Sequence, residues 1–167
     1  MDSAVTHQRP HTSDWIEGVA VTELREIWDG RGAVLQMLRS DAPDFVGFGE
    51  CYFSEVLPDN VKAWKCHLAQ TQNLAVPVGR ARLVLFDDRE GSSTRGNIQA
   101  LELGRPDAYV RVRIPPGLWY GFSCVGETPA LLANCPDLPH DPQESKQRPL
   151  EDPRMPPFWA TGSGQGE

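Results

Sequence analysis

The chain has 167 residues and 18.5 kDa, with 16 Lys and Arg against 23 Asp and Glu, a formal net charge of −7. No basic stripe of the kind a nucleic-acid binder carries is present, and 40% apolar residues exclude a globally disordered chain. No apolar run approaches the roughly 18 residues of a membrane-spanning helix.

In chain order, residues 1–14 are expected as a flexible extension. Their composition (MDSAVTHQRPHTSD) lacks the basic-then-apolar layout of a signal peptide, so the expected location is the cytoplasm. Residues 18–27 are expected as one short helix. About nine short β-type runs follow, punctuated by turns. They are Ala33–Leu38 after the turn at Trp28–Gly32, then Gly49–Val56, Val61–His67, Asn73–Val78 and Ala81–Phe86. After the polar loop 87–96 come Ile98–Leu103, Tyr109–Ile114, Trp119–Val125 and Ala130–Asn134. The fifteen Gly and fifteen Pro fall between these runs, which argues for a sandwich or barrel rather than a helical bundle. Seven of the prolines lie in the last 32 residues, so 136–160 is expected as an ordered arm packed on the barrel without regular sheet, and 161–167 as a disordered tail. Cys51, Cys66, Cys124 and Cys135 form no CxxC pair and read as reduced, packed residues.

The most specific spacing is Lys65-x-His67, Gln72 and Gly79, which resembles the first cupin motif H-x-H-x(3,4)-E-x(6)-G. Pro115-Pro116-Gly117-Leu118-Trp119-Tyr120 is similar to that fold's P-x-G-x-x-H. The resemblance implies an all-β, double-stranded β-helix (a jelly-roll cupin) with a Pro-rich C-terminal arm. At the positions that bind metal in metal cupins stand Lys65, His67, Gln72 and Tyr120. One imidazole with an ammonium, an amide and a phenol is a poor donor set, so no metal and no cofactor are expected. Residues 65 and 67 are two apart on a strand and share a face. In a barrel interior the ammonium and imidazole would disfavour each other's charged form, leaving a base usable near neutral pH.

Four ordered segments resemble the dTDP-4-dehydrorhamnose 3,5-epimerase family, a group of homodimeric metal-free cupins. They are Asp29-Gly30-Arg31-Gly32 (its D-x-R-G), Asp88–Gly96 (its D-x-R-x-x-S-x-T-x-G), Ile114–Phe122 (its I-P-x-G-x-x-H-G-F) and Asp152–Trp159 (its terminal D-P-x-(I/L)-x-x-x-W). The resemblance implies an isomerase or epimerase of a nucleotide-diphosphate 4-keto-6-deoxyhexose, working by proton abstraction beside the ketone. In that family the base is a His in R-G-L-H, oriented by a late Asp, and the acid is a Tyr on a late strand. Here Val61-Lys62-Ala63-Trp64-Lys65 stands in place of the base motif, Asp152 keeps the place of the orienting Asp, and the acid Tyr falls near Asn134.

The resemblance thus makes Lys65, His67, Tyr120 and Asp152 the candidate catalytic residues. Lys65 is expected as a base or enolate-stabilising cation, or else as the ion-pair partner of Asp152 or another lumen carboxylate; His67 and Tyr120 compete with readings as packed core residues. Arg31 and Lys62 are the candidate diphosphate contacts, and Gln72, Asn73 and Asn134 the further substrate-binding candidates. Arg89 is expected to close its own turn onto Asp87 or Asp88, and Trp64 and Trp119 to pack. Partners expected are a small carbonyl substrate and a second copy of the chain, with no nucleic acid and no membrane. Two other readings stay open: a repurposed cupin that binds a sugar nucleotide without catalysis, and an isomerase of a non-sugar carbonyl metabolite.

Overall fold

The computed structural model describes residues 15–161; residues 1–14 and 162–167, which hold the expected extension and nearly all of the expected tail, lie outside it. The described residues form an antiparallel jelly roll. Its strands are β1 (Ala20–Glu23), β2 (Glu26–Asp29), β3 (Gly32–Leu35), β4 (Tyr52–Val56), β5 (Val61–His67), β6 (Gln72–Val78) and β7 (Arg80–Phe86). They continue as β8 (Ile98–Gly104), β9 (Val110–Ile114), β10 (Trp119–Cys124), β11 (Ala130–Asn134) and β12 (Ser145–Gln147). One five-stranded sheet has the order β1-β9-β6-β11-β4 and faces a second of order β12-β5-β10-β7-β8; β2 and β3 form a separate hairpin. Among the described residues no helix is long and apolar enough to cross a membrane.

Two expectations are corrected. The segment 18–27 is not a helix but β1 and β2. Val19, Val21 and Thr22 are β-branched, and β1 completes the open edge of β9 in register Ala20↔Arg113 to Glu23↔Val110; local β-propensity and the unpaired backbone of that edge act together. The arm also contains regular sheet. Residues 143–148 are free of proline between Pro142 and Pro149, and β12 within them pairs with the edge of β5, Ser145 opposite His67 and Gln147 opposite Lys65.

The core between the sheets holds Val56, Leu74, Val76, Leu83, Leu85, Val112, Ile114 and Leu132, with Tyr120 and Phe122 at its margin. Each such aliphatic side chain contributes about 1.5–3 kcal/mol on burial. A second cluster lies on the outer face of the β5-β10-β7 sheet, where Trp64, Cys66, Val84 and Trp119 pack against Met155, Phe158 and Trp159 of the arm. Leu83, Val84 and Leu85 are all fully buried because the sheet is covered on both faces. The loop 87–96 is a structural clasp. Buried Asp87 accepts hydrogen bonds from Arg89 Nε and Nη2, Ser92 Oγ and Thr94 Oγ1 at 2.6–2.9 Å, the turn closure expected of Arg89.

One irregularity positions the site. Between β10 and β5 the register runs Tyr120↔Lys65, then Phe122↔Lys62, so Ala63 and Trp64 together oppose Gly121. This bulge places Lys62 and Lys65, three apart, on one side of the strand, where regular alternation would separate them. Gly121 permits it: a Cβ there would lie 2.3 Å from Ala63 Cβ.

Candidate active site

A cavity of about 680 Å³ opens between the two sheets. Lys62, Lys65, His67 and Tyr120 line its β5-β10 wall, and Tyr52 and Asn134 line the β4-β11 wall. The Pro115-Pro116-Gly117 turn holds the end of β5, with Gly117 N–H donating to the His67 carbonyl at 2.7 Å.

His67 is 5% exposed. Its Nδ1 lies 2.6 Å from Glu144 Oε2, and its Nε2 lies 3.2 Å from the Tyr120 hydroxyl. Glu144 Oε1 accepts the backbone N–H groups of Ala69 and Gln70, both at 2.8 Å. Burial pushes the Glu144 carboxyl upward, but those two N–H groups and the His67 ring outweigh it and hold it below its ordinary value. Burial lowers the His67 pKa, Lys65 adds to the lowering, and Glu144 opposes it without reversing it. The stable state near neutral pH is therefore a carboxylate beside a neutral imidazole whose proton sits on Nδ1. The Nε2 lone pair faces the cavity side and accepts the Tyr120 hydroxyl. Tyr120 stays protonated because burial raises its pKa strongly. Among the described residues Lys65 and Lys62 make no ion pair, so two ammonium groups face the cavity. No group of three His, Cys, Asp or Glu able to hold a metal ion occurs among the described residues.

The wall thus supplies a base, a hydroxyl donor and two cations, the set needed to remove a proton beside a carbonyl and stabilise the enolate. Known proteins are similar to this chain in sequence and fold. The chain is 35% identical to the probable low-salt glycan biosynthesis epimerase Agl13 of Haloferax volcanii, over 75% of this chain and 81% of that protein. It is 30% identical to the spore coat polysaccharide biosynthesis protein SpsL of Bacillus subtilis, over 87% of this chain and 97% of that protein. The crystal structure of a dTDP sugar isomerase from Desulfovibrio desulfuricans G20 is 54% identical, with a TM-score of 0.81 over 83% of this chain and 88% of that one. The chain belongs to the dTDP-4-dehydrorhamnose 3,5-epimerase-like family. No family model matches it.

Within that family's pattern, the structure brings together some of the residues singled out from sequence and separates others. Lys62, Lys65, His67, Tyr120 and Asn134 meet at the cavity. Gln72 lies behind Asn134, its Oε1 accepting Asn134 Nδ2 at 2.7 Å. Asn73 faces away from it, because alternation on β6 turns Leu74 and Gln72 inward; its Nδ2 donates to the Cys135 carbonyl and its Oδ1 accepts from Arg111. Asp152 does not pair with Lys65. It lies in the arm, bound to its own Arg154 through Nε and Nη2, and that contact together with the Arg154 backbone N–H holds its pKa down to about 2. Arg31, 90% exposed at the tip of the β2-β3 hairpin, pairs with Asp29 and not with the cavity. The carboxylate against the His67 ring is that of Glu144, and a second cavity tyrosine is Tyr52. Neither was singled out from sequence. Glu144 sits in the proline-free stretch of the arm, whose strand pairing was the missing signal; Tyr52 pairs with Asn134 in register, a contact visible only once β4 and β11 are aligned.

Proposed function

We propose that the protein is an isomerase or epimerase of a nucleotide-diphosphate-linked 4-keto-6-deoxyhexose, acting through its own acid–base side chains. The observation that carries this is His67, held 2.6 Å from the Glu144 carboxylate in a cavity lined by two lysines. The ketone acidifies the neighbouring C–H bonds. His67 Nε2 takes the proton, and the imidazolium that forms is compensated by Glu144. Substrate entering takes the Nε2 lone pair from the Tyr120 hydroxyl, which turns to donate to the ketone oxygen; with the Lys65 ammonium it stabilises the enolate. Lys62, exposed at the rim, suits the diphosphate, as a point charge without the bidentate fork of Arg. The epimerase and isomerase names of the relatives support the same substrate class.

The same reading makes the protein a cytoplasmic homodimer. The β2-β3 hairpin pairs with neither large sheet, yet exposes Ile27, Trp28 and Val34 at 45%, 63% and 64%. An apolar hairpin of this kind fits a second copy of the chain and would carry Arg31 with it; equilibrium sedimentation tests this.

The decisive experiment incubates the protein with dTDP-, UDP- and GDP-linked 4-keto-6-deoxyhexoses in deuterated water. Deuterium is expected at a carbon beside the ketone with at least one of them, and not with His67→Asn. Tight binding of these compounds without any exchange would establish a binding protein instead and end the proposal.

A further inference from the structure

We infer that Tyr52 is the proton donor that faces His67 across the cavity, its hydroxyl hydrogen aimed inward by a relay of buried amides. The inference rests on the function proposed above and assigns the second proton of that reaction.

The relay is anchored at both ends by backbone groups, which fixes the direction of every amide in it. Gln70 Nε2 donates to the carbonyls of Leu138 and Pro139, both at 3.0 Å, so Gln70 Oε1 is free to accept. It accepts Gln72 Nε2 at 3.0 Å. Gln72 Oε1 then accepts Asn134 Nδ2 at 2.7 Å. At the other end the Asn73 N–H donates to Asn134 Oδ1 at 3.2 Å, which confirms that the Asn134 NH2 group points the other way. Its second hydrogen goes to the Tyr52 oxygen at 2.7 Å. Tyr52 is therefore an acceptor in this contact and cannot return its proton to Asn134. Among the described residues no other protein acceptor takes the hydroxyl hydrogen, and the side chain lines the cavity. The large majority of buried polar atoms in native proteins have a partner, and this orientation gives each of these amide groups one.

Position supplies the second half. His67 and Tyr120 stand on the β5-β10 wall within 3.2 Å of each other, so a proton from Tyr120 returns to the face that lost it. Tyr52 stands on β4, in the opposing sheet. Inversion needs a donor on that side. His67 Nε2 takes the proton of a C–H bond, whose electron pair enters the enolate. The enolate carbon then takes the Tyr52 proton from the opposite face, and the O–H electron pair stays on the phenolate, still bonded to Asn134 Nδ2. His67 gives its proton to water and water gives one to Tyr52, which restores both groups. Tyr52 is thus a catalytic residue; Asn134, Gln72 and Gln70 are positioning residues.

The test follows a dTDP-linked 4-keto-6-deoxyhexose in deuterated water with wild type, Tyr52→Phe and Asn134→Asp. Deuterium uptake is read by mass spectrometry and product configuration by NMR. Tyr52→Phe is expected to keep uptake within about threefold, with retention, and to lose inversion by about 100-fold or more, the scale of a lost general acid. Asn134→Asp makes residue 134 an acceptor, which turns the Tyr52 hydrogen away from the cavity. It is expected to lower the ratio of inversion to uptake at least tenfold, a ratio that a purely structural defect would leave unchanged. Should Tyr52→Phe fail to fold, as judged by its thermal transition, Asn134→Asp decides alone. Inversion at the wild-type rate in Tyr52→Phe, or parallel loss of uptake and inversion, overturns the assignment of Tyr52. Wild-type uptake with retention only does the same and leaves the proposed proton abstraction standing. No uptake by the wild type removes both.

Discussion

Replacing Glu144 with glutamine removes one charge and keeps the shape, and the structure says which way the new amide must turn. Oε1 accepts two backbone N–H groups at 2.8 Å, from Ala69 and Gln70. Those donors require an oxygen, so the NH2 group must face His67 Nδ1, 2.6 Å away in the wild type. Nδ1 then becomes an acceptor and the ring proton moves to Nε2, where the catalytic lone pair stood. The base is lost by tautomer, and the imidazolium also loses its compensating charge. The equivalent change in a catalytic triad costs about 10⁴ in kcat. With both partners nearly fully buried here, a loss of about 10³–10⁴ is expected, or about 4–5.5 kcal/mol at 1.36 kcal/mol per decade. Every polar group keeps a partner, so the melting temperature should move by only a few degrees. The assay is deuterium uptake beside the ketone, single-turnover, from pH 5 to 9. In the wild type activity requires neutral His67, and burial lowers its pKa, so activity should fall only as pH drops below the ordinary histidine value of about 6.5. An unchanged rate in Glu144→Gln, or a loss no larger than tenfold, would refute the orienting role of the carboxylate.

Gly121→Ala places a Cβ 2.3 Å from that of Ala63; it should lower stability by about 1–3 kcal/mol and raise KM by displacing the bulge, read by thermal denaturation and steady-state kinetics. Lys62→Ala should raise KM about tenfold with kcat little changed, whereas Lys65→Ala should lower kcat about 100-fold, because only the latter faces the developing enolate. Asp87→Ala strips the carboxylate from Arg89, Ser92 and Thr94 and should cost about 3 kcal/mol, the low end for a broken buried pair because Arg89 stays partly hydrated; urea denaturation measures it. Burial raises the Asp87 pKa, but those partners outweigh it and hold it far below its ordinary value. Its stabilisation is thus complete above about pH 4 and is lost as pH falls further, with no such acid-side slope for Asp87→Ala.

The barrel was legible because its signals are local. Alternation such as that of Tyr109–Ile114 and turns such as Pro115-Pro116-Gly117 identify strands without any knowledge of their partners. The segment 18–27 differs for the complementary reason: residues 20–23 are held by the open edge of β9, far away in sequence, and only Glu26 and Ile27 pair locally, with β3. The candidate site divides the same way. Lys65 and His67 share a face by simple alternation, but Lys62 joins them only through a bulge that depends on Gly121 in another strand. Asp152 was matched by a motif whose Asp and Arg, two residues apart, satisfy each other locally. Nothing in the sequence near Glu144 declares that it meets His67, 77 positions earlier.

The arm ties these observations together. Its residues 138–144 address both sides of the cavity: Glu144 fixes the proton of His67 on Nδ1, and the carbonyls of Leu138 and Pro139 start the amide relay that ends at Tyr52. Gln70 is the junction, its N–H on Glu144 and its side chain on the two carbonyls. His67 and Tyr52 stand on opposing sheets that share no backbone ladder, so neither can set the other's proton directly. A single covering segment that hydrogen-bonds to both can. Pro139 and Pro142 within this segment limit its conformations before it docks, which lowers the entropic cost of holding two proton positions with one piece of chain. In the proposed mechanism the covering arm is therefore part of the acid–base chemistry as well as of the packing.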